Sequence, residues 1–188
     1  ESFTPDTNTL LGEVPEVKNF FVCCGLNSIG IGSGGGVGKI TAEWLMTGHI
    51  NEDIFSYDIK RFQKFHSKLN FIKKRITETL GDLYGMHWPF KQHKTSRNIK
   101  TVPYHDDLKS FGACFGVSGG YERPMWFALD GEKREYEYSY NYQNWYPAAE
   151  FETSNTIKNI GLYDLTPFSK FEIKSDKAHK ELQRICTA

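Results

Sequence analysis

The residues best placed to do chemistry are glycines at positions 25, 30, 32, 34, 35, 36 and 38, which follow the apolar run Phe20 to Cys24. Glycine at this density lets backbone approach a ligand more closely than any Cβ would allow. A helical pattern begins at Val37, and a helix start offers unpaired N–H groups and the positive end of the peptide dipoles. Both features suit an anionic or electron-rich ligand, so the stretch reads as the edge of a cofactor site. Gly30, Gly32 and Gly35 have the spacing of the dinucleotide fingerprint, but five residues separate Cys24 from Gly30, whereas that fingerprint opens directly off its strand. A phosphate-binding P-loop fails as well, because Gly38-Lys39 is followed by Ile40 and Ser33 stands where the first glycine belongs. A glycine-rich turn packing a helix on a strand, with no ligand, accounts for the same pattern.

Other chemistry is sparse. His49, His66, His87, His93, His105 and His179 are scattered, with no pair at helical ligand spacing and no Cys-x-x-Cys, so no metal centre is expected. No nucleophile elbow is present, and His87 beside Trp88-Pro89 reads as packed rather than catalytic. Cys23 and Cys24 fall inside the strand and read as core filler, Cys114 and Cys186 as ordinary thiols. Lys73-Lys74-Arg75 reads as a solvated face. Glu122 and Arg123, next to the turn at Pro124, suggest an ion pair. Tyr136, Tyr138, Tyr140 and Tyr142 alternate with polar residues, as an edge strand would, and cross-strand packing explains them better than ring binding.

The elements that must position these groups follow from periodicity. Phe20 to Cys24 reads as a buried strand, and Val37 to Thr47 as a helix with Val37, Ile40, Trp44 and Leu45 on its buried face and Gly48 as its stop. Asn51 to Phe62 is charged as a short helix would be. Leu69, Ile72, Ile76 and Leu80 mark a second amphipathic helix closed by Gly81. Tyr84 to Pro103 reads as loop, and Tyr104 to Phe127 as short strands or turns. A helix starting near Ser154, strands at Gly161 to Leu165 and Phe171 to Ile173, and a helix from Lys177 to Ile185 complete the pattern. Glu1 to Lys18 reads as extended chain with a turn at Thr4-Pro5-Asp6. The chain has 188 residues, enough for one core or parts of two. Its formal net charge of zero gives no electrostatic case for nucleic acid. No apolar run approaches the length of a membrane span, and no signal peptide is visible.

Several motifs in order resemble one family. Glu1-Ser-Phe-Thr-Pro-Asp6, Leu11-Gly-Glu-Val-Pro15, Phe21-Val-Cys-Cys-Gly-Leu-Asn-Ser-Ile-Gly-Ile31 and Gly34-Gly-Gly-Val-Gly-Lys39 are similar to the C-terminal end of the FAD domain in the dimethylglycine and sarcosine dehydrogenase family. Asp58-Ile-Lys-Arg-Phe62, Tyr84-Gly-Met-His-Trp-Pro89, Pro103-Tyr-His-Asp-Asp107, Gly119-Gly-Tyr-Glu-Arg-Pro-Met-Trp-Phe127 and Asn144-Trp145 resemble the segment after it, and Asp164-Leu-Thr-Pro-Phe-Ser-Lys-Phe171 the opening of the aminomethyltransferase-like, folate-binding region. The resemblance implies an α+β fragment: residues 1–50 from the FAD-dependent oxidoreductase domain, 51–103 a central connecting domain, and 104–188 the front of the folate-binding domain.

It further implies that Gly25, Leu26, Asn27, Ser28, Ile29, Gly30 and Ile31 line the flavin edge, with backbone N–H groups by the pyrimidine carbonyl, where reduction places negative charge. Some related amine oxidases carry a lysine in this loop; Gly32 stands there, which fits a dehydrogenase better than an oxidase. The implied parent protein is an enzyme that oxidises an N-methyl group of dimethylglycine or sarcosine and passes the one-carbon unit to tetrahydrofolate. The implied acceptor is an electron-transfer flavoprotein, and the implied location the mitochondrial matrix. The catalytic base and the cation that would hold the substrate carboxylate are not identifiable in this stretch. One branch of the family is similar to the regulatory subunit of pyruvate dehydrogenase phosphatase, and Gly25 to Ile31 is compatible with either branch.

Overall fold

Two antiparallel hairpins and five α-helices organise residues 2–186, the part that the computed structural model describes. Residue Glu1, the start of the first motif, lies outside the described residues. The elements are β1 (Leu10–Glu13), β2 (Phe21–Cys24), α1 (Gly30–Thr47), α2 (Leu69–Leu83), α3 (His105–Ser110), β3 (Ala113–Ser118), β4 (Tyr121–Phe127), α4 (Tyr146–Lys158) and α5 (Ala178–Ile185), with 3₁₀ turns at Ile59–Arg61 and Lys64–Ser67 ahead of α2. The arrangement is α+β.

β1 pairs with β2 in the register Leu11↔Cys23, and the C-terminal half of α1 closes one face of this ribbon. Leu11, Trp44 and Ile54 are buried together, and Phe21 meets the Trp44 ring edge-on at 5.5 Å. Gly12, at φ +115, lies under that indole; a Cβ there would stand 2.6 Å from the ring. The ribbon has no second layer among the described residues. Phe21 and Val22 are therefore only half-buried and Cys23 and Cys24 exposed, which corrects the expectation of a buried strand.

α1 starts at Gly30, not at Val37. Each helical glycine costs about 1 kcal/mol relative to alanine, so the glycine run carried no helical signal of its own. Packing of Val37, Ile40 and Trp44 on the ribbon holds the helix, whereas Leu45 is exposed. Gly48 ends it at φ +76, with its N–H donating to Trp44 O at 2.9 Å.

α2 also turns a different face inward. Phe71, Arg75 and Thr79 are buried, Ile72 and Ile76 half-buried, and Leu69 and Leu80 exposed. Lys73 and Lys74 are solvated as expected, but Arg75 folds over the Phe71 ring at 5.1 Å and donates to Thr95 O at 2.6 Å. Gly81 lies inside the helix rather than after it, and the stretch from Asn51 to Phe62 forms the 3₁₀ turn at Ile59–Arg61 and a bridge from Asp58 to Leu11 instead of a helix.

In the second half β3 pairs with β4 across a bulge at Cys114/Phe115, and α4 covers the pair, burying Cys114, Trp126 and Ala148. Burial pushes the Cys114 thiol up to about 11, so this cysteine is inert core rather than an ordinary thiol. The tyrosine run forms no strand. It clasps residues 87–92 instead: Tyr138 Oη accepts the Gln92 N–H at 2.9 Å, Tyr140 Oη donates to His87 O at 3.1 Å, and Gln143 Nε2 donates to Pro89 O at 2.9 Å. His87 itself is exposed, so its side chain is not packed. Residues 161–173 carry no strand either. They find no pairing neighbour among the described residues, and Leu162 and Phe171 remain solvent-facing.

Candidate cofactor site

The loop from β2 to α1 is held in a left-handed path, with φ +63 at Gly25, +47 at Asn27 and +66 at Ser28. Ile29 N–H donates to Leu26 O at 2.9 Å, and Ser33 N–H is the first to close a helical bond, onto Ile29 O at 3.0 Å. The amides of Gly30, Ile31 and Gly32 therefore lie ahead of the helical ladder, and Ile29 offers no side-chain cap. Ile31 is fully exposed and Ile29 about half so. A Cβ built on Gly32, Gly34, Gly35, Gly36 or Gly38 would meet nothing within 4 Å. Donor amides, a bare backbone face and two apolar side chains beside them fit a flat, electron-rich ring such as a flavin edge.

The expected site residues are thus contiguous but not alike. Gly25 and Asn27 are buried, Leu26 and Gly30 half-buried, and Ser28, Ile29 and Ile31 exposed. Gly25 and Gly30 are crowded by the protein's own side chains: their Cβ positions lie 2.5 Å from the Thr4 methyl and 2.9 Å from Leu26 Cδ1 respectively.

Sequence reasoning missed what holds this loop. Asn27, only 1% exposed, accepts the Thr4 N–H on Oδ1 at 2.8 Å and donates from Nδ2 to Gly25 O at 2.7 Å. Thr4 is buried too, and its carbonyl packs 3.4 Å from the Thr79 hydroxyl of α2. Two residues on, Asp6 takes a two-pronged contact from Arg61, Nε to Oδ2 at 2.7 Å and Nη2 to Oδ1 at 3.1 Å. The motifs Thr4-Pro5-Asp6, Asp58-Ile-Lys-Arg61 and Gly25 to Ile31 were visible separately; nothing in their spacing said that they meet.

Two further charged clusters lie behind this clamp. Glu122, 2% exposed, pairs with Arg97, not with Arg123: Nε to Oε1 is 2.7 Å, and Asn98 N–H also donates to Oε1 at 2.8 Å. Burial pushes the Glu122 carboxyl up, but the Arg97 and Asn98 bonds outweigh it and hold the group below its usual range. Arg123 instead lies over the Phe168 ring. On α2, Glu78 and Asp82 stand one turn apart with His93 beside them, their ligand atoms within 4.8 Å of one another. The i,i+4 carboxylates were the overlooked signal. Both already have partners, because Asp82 holds Lys91 at 2.6 Å and Glu78 accepts the Thr95 hydroxyl and the amides of Lys94 and Thr95.

A family model described as FAD dependent oxidoreductase central domain matches residues 47–101, and one described as GCVT N-terminal domain matches residues 104–188. The chain is 41% identical, over its full 188 residues, to the 4-methylaminobutanoate oxidase (formaldehyde-forming) of Paenarthrobacter nicotinovorans, covering 23% of that protein. It is 34% identical over 97% of its length to the mitochondrial pyruvate dehydrogenase phosphatase regulatory subunit of Mus musculus, covering 21% of it. It is 38% identical over 74% of its length to the mitochondrial sarcosine dehydrogenase of Homo sapiens, covering 15%. The chain therefore spans less than a quarter of the length of these relatives.

Proposed function

The chain belongs to the dimethylglycine and sarcosine dehydrogenase family of FAD-dependent oxidoreductases, and from that we propose that Gly25 to Ile31 forms one edge of a flavin site in a longer enzyme. The observation that carries this reading is the start of α1: three amides without helical partners beside a glycine face that nothing in the described residues covers. The flavin, when bound, supplies the acceptor for a hydride from the N-methyl carbon of the substrate. The amides of Gly30, Ile31 and Gly32 and the positive end of α1 stabilise the negative charge that accompanies reduction, with no reorganisation.

In this reading residues 1–50 complete the oxidoreductase domain, 51–103 connect it, and 104–188 open a folate-binding domain that receives the one-carbon unit on tetrahydrofolate. The substrate is an N-methylated glycine, dimethylglycine or sarcosine, and an electron-transfer flavoprotein takes the electrons. The mitochondrial names of several relatives support a mitochondrial location, and we place the protein in the matrix. The relative named an oxidase bears on the acceptor: Gly32 argues against a loop lysine that activates oxygen, so reduction should outpace reoxidation by air.

A second reading has its own support, since the regulatory subunit aligns over nearly the whole chain. It makes the protein a non-catalytic partner of a phosphatase. Anaerobic visible spectra of the full-length protein separate the two. Flavin absorbance that bleaches with sarcosine or dimethylglycine establishes the dehydrogenase. Bound flavin that no N-methyl amino acid bleaches favours the regulatory subunit, and a protein purified without flavin sinks the cofactor assignment.

A further inference from the structure

We propose that Asn27 is a positioning residue for the cofactor amides, and that through Thr4 it references them to α2; the inference rests on the flavin reading of Gly25 to Ile31. Three of the four residues from Gly25 to Ser28 have positive φ, and two of the three are not glycine. Backbone of this kind persists only where its surroundings over-determine it. Here the Asn27 carboxamide is one such constraint. Its Nδ2 donates to Gly25 O at 2.7 Å, closing the turn from inside, and its Oδ1 accepts the amide of Thr4 at 2.8 Å. The Asn27 amide adds a third tie, donating to Ser2 O at 3.2 Å.

Burial makes the carboxamide decisive. At 1% exposure these bonds are shielded from solvent, so a residue without the carboxamide takes away the partners of both Thr4 N–H and Gly25 O. Thr4 is itself fixed from outside the loop: its hydroxyl donates to Asn8 O at 2.8 Å, and its carbonyl packs 3.4 Å from the hydroxyl of Thr79, a side chain with no exposed surface that also reaches the Arg75 and Ile76 carbonyls of its own helix at 3.1 and 3.2 Å. Asn27 thus connects the start of α1 to α2 through buried contacts. It touches no atom that faces the ring; its effect is to fix where the amides of Gly30 to Gly32 point. If those amides drift, negative charge on the reduced ring loses its donors and reduction becomes less favourable.

The test uses the flavin-loaded, full-length protein, its two-electron midpoint potential and hydrogen exchange of the same protein. Asn27→Gly keeps the left-handed backbone available and removes only the carboxamide. It should lower the reduced-to-oxidised ratio at fixed potential about tenfold, equivalent to about 30 mV for a two-electron couple, and speed exchange at the Ile29 and Ser33 amides. Thr79→Val, which removes the hydroxyl at the far end of these contacts, should shift the potential in the same direction by less, and it carries the test if Asn27→Gly does not fold. Glu122→Gln, a destabilising change in the other hairpin, should leave the potential where it is. An unchanged potential in Asn27→Gly, or an equal shift in Glu122→Gln, overturns the positioning role while the flavin site stands. A full-length protein without flavin overturns the flavin reading, and this inference with it.

Discussion

Arg97 grips Glu122 with two nitrogens, Nε on Oε1 at 2.7 Å and Nη2 on Oε2 at 2.5 Å, and spends its third on the carbonyl of His93 at 3.0 Å. The pair ties the segment after α2 to the start of β4, across the boundary between the two family matches. Glu122 is fully buried and Arg97 mostly so. Arg97→Ala strands the carboxylate and should lower stability by about 3–5 kcal/mol, whereas the double change Arg97→Met with Glu122→Leu should recover most of that loss. Urea unfolding of the three proteins checks it; equal losses in single and double variants would contradict the account.

Acid should destabilise the chain in two stages. Burial pushes the imidazoles of His66 and His93 below their usual 6.5, with Arg75 adding to the effect at His93. Stability linked to them is complete above 6.5 and is lost as the pH falls through their lowered values. At Glu78 and Glu122 burial acts upward, but hydrogen bonds from Lys94 and Thr95 in one case and Arg97 in the other bring both carboxyls below 4.5. Their contribution is present above 4.5 and drains away below it. Urea midpoints measured from pH 8 to 3 should fall first below 6.5 and again below 4.5, and Glu122→Gln should flatten the second fall.

The glycine face predicts opposite signs in two contexts. Gly32→Ala and Gly35→Ala, three residues apart on one side of α1, meet open space in this chain and should each stabilise it by about 0.5–1 kcal/mol. In the full-length protein the same changes should reduce flavin content, because the added methyls occupy the face that closes. Gly25→Ala behaves differently: at φ +63, with its methyl against Thr4, it should cost about 1–3 kcal/mol in either context. Thermal melts of the chain and flavin-to-protein absorbance ratios of the parent supply both readouts.

Tyr138→Phe should cost about 1 kcal/mol, because the Gln92 N–H loses its acceptor in a half-buried position. Tyr142→Phe should be neutral, since that ring is largely exposed. Equal effects in chemical denaturation would mean that the tyrosine clasp does not hold residues 87–92.

How much of this was legible in the sequence depends on what each residue faces. Strand β2, the C-terminal stop at Gly48 and helix α5 could be read locally, because their signals are punctuation and short-range period. The N-terminal end of α1 could not, since helix there runs through residues of poor helix propensity. The inward face of α2 was misjudged because the core there accepts Arg75 and Thr79, whose polar ends are satisfied by Thr95 and by the helix's own carbonyls rather than by water. The tyrosines alternate as a strand would, yet their hydroxyls answer to residues 87–92, a partner some fifty positions away that period cannot reveal. At the candidate site the glycines and the loop were visible, and the clamp of Thr4, Asn27 and Thr79 was not, because it is built from long-range side-chain contacts.

The most direct test of the central claim is an experimental structure of the full-length protein with flavin bound. The account predicts the ring edge within hydrogen-bonding distance, about 3 Å, of at least one of the amides of Gly30, Ile31 and Gly32. A flavin bound elsewhere, with those amides facing solvent or another segment of protein, would contradict it.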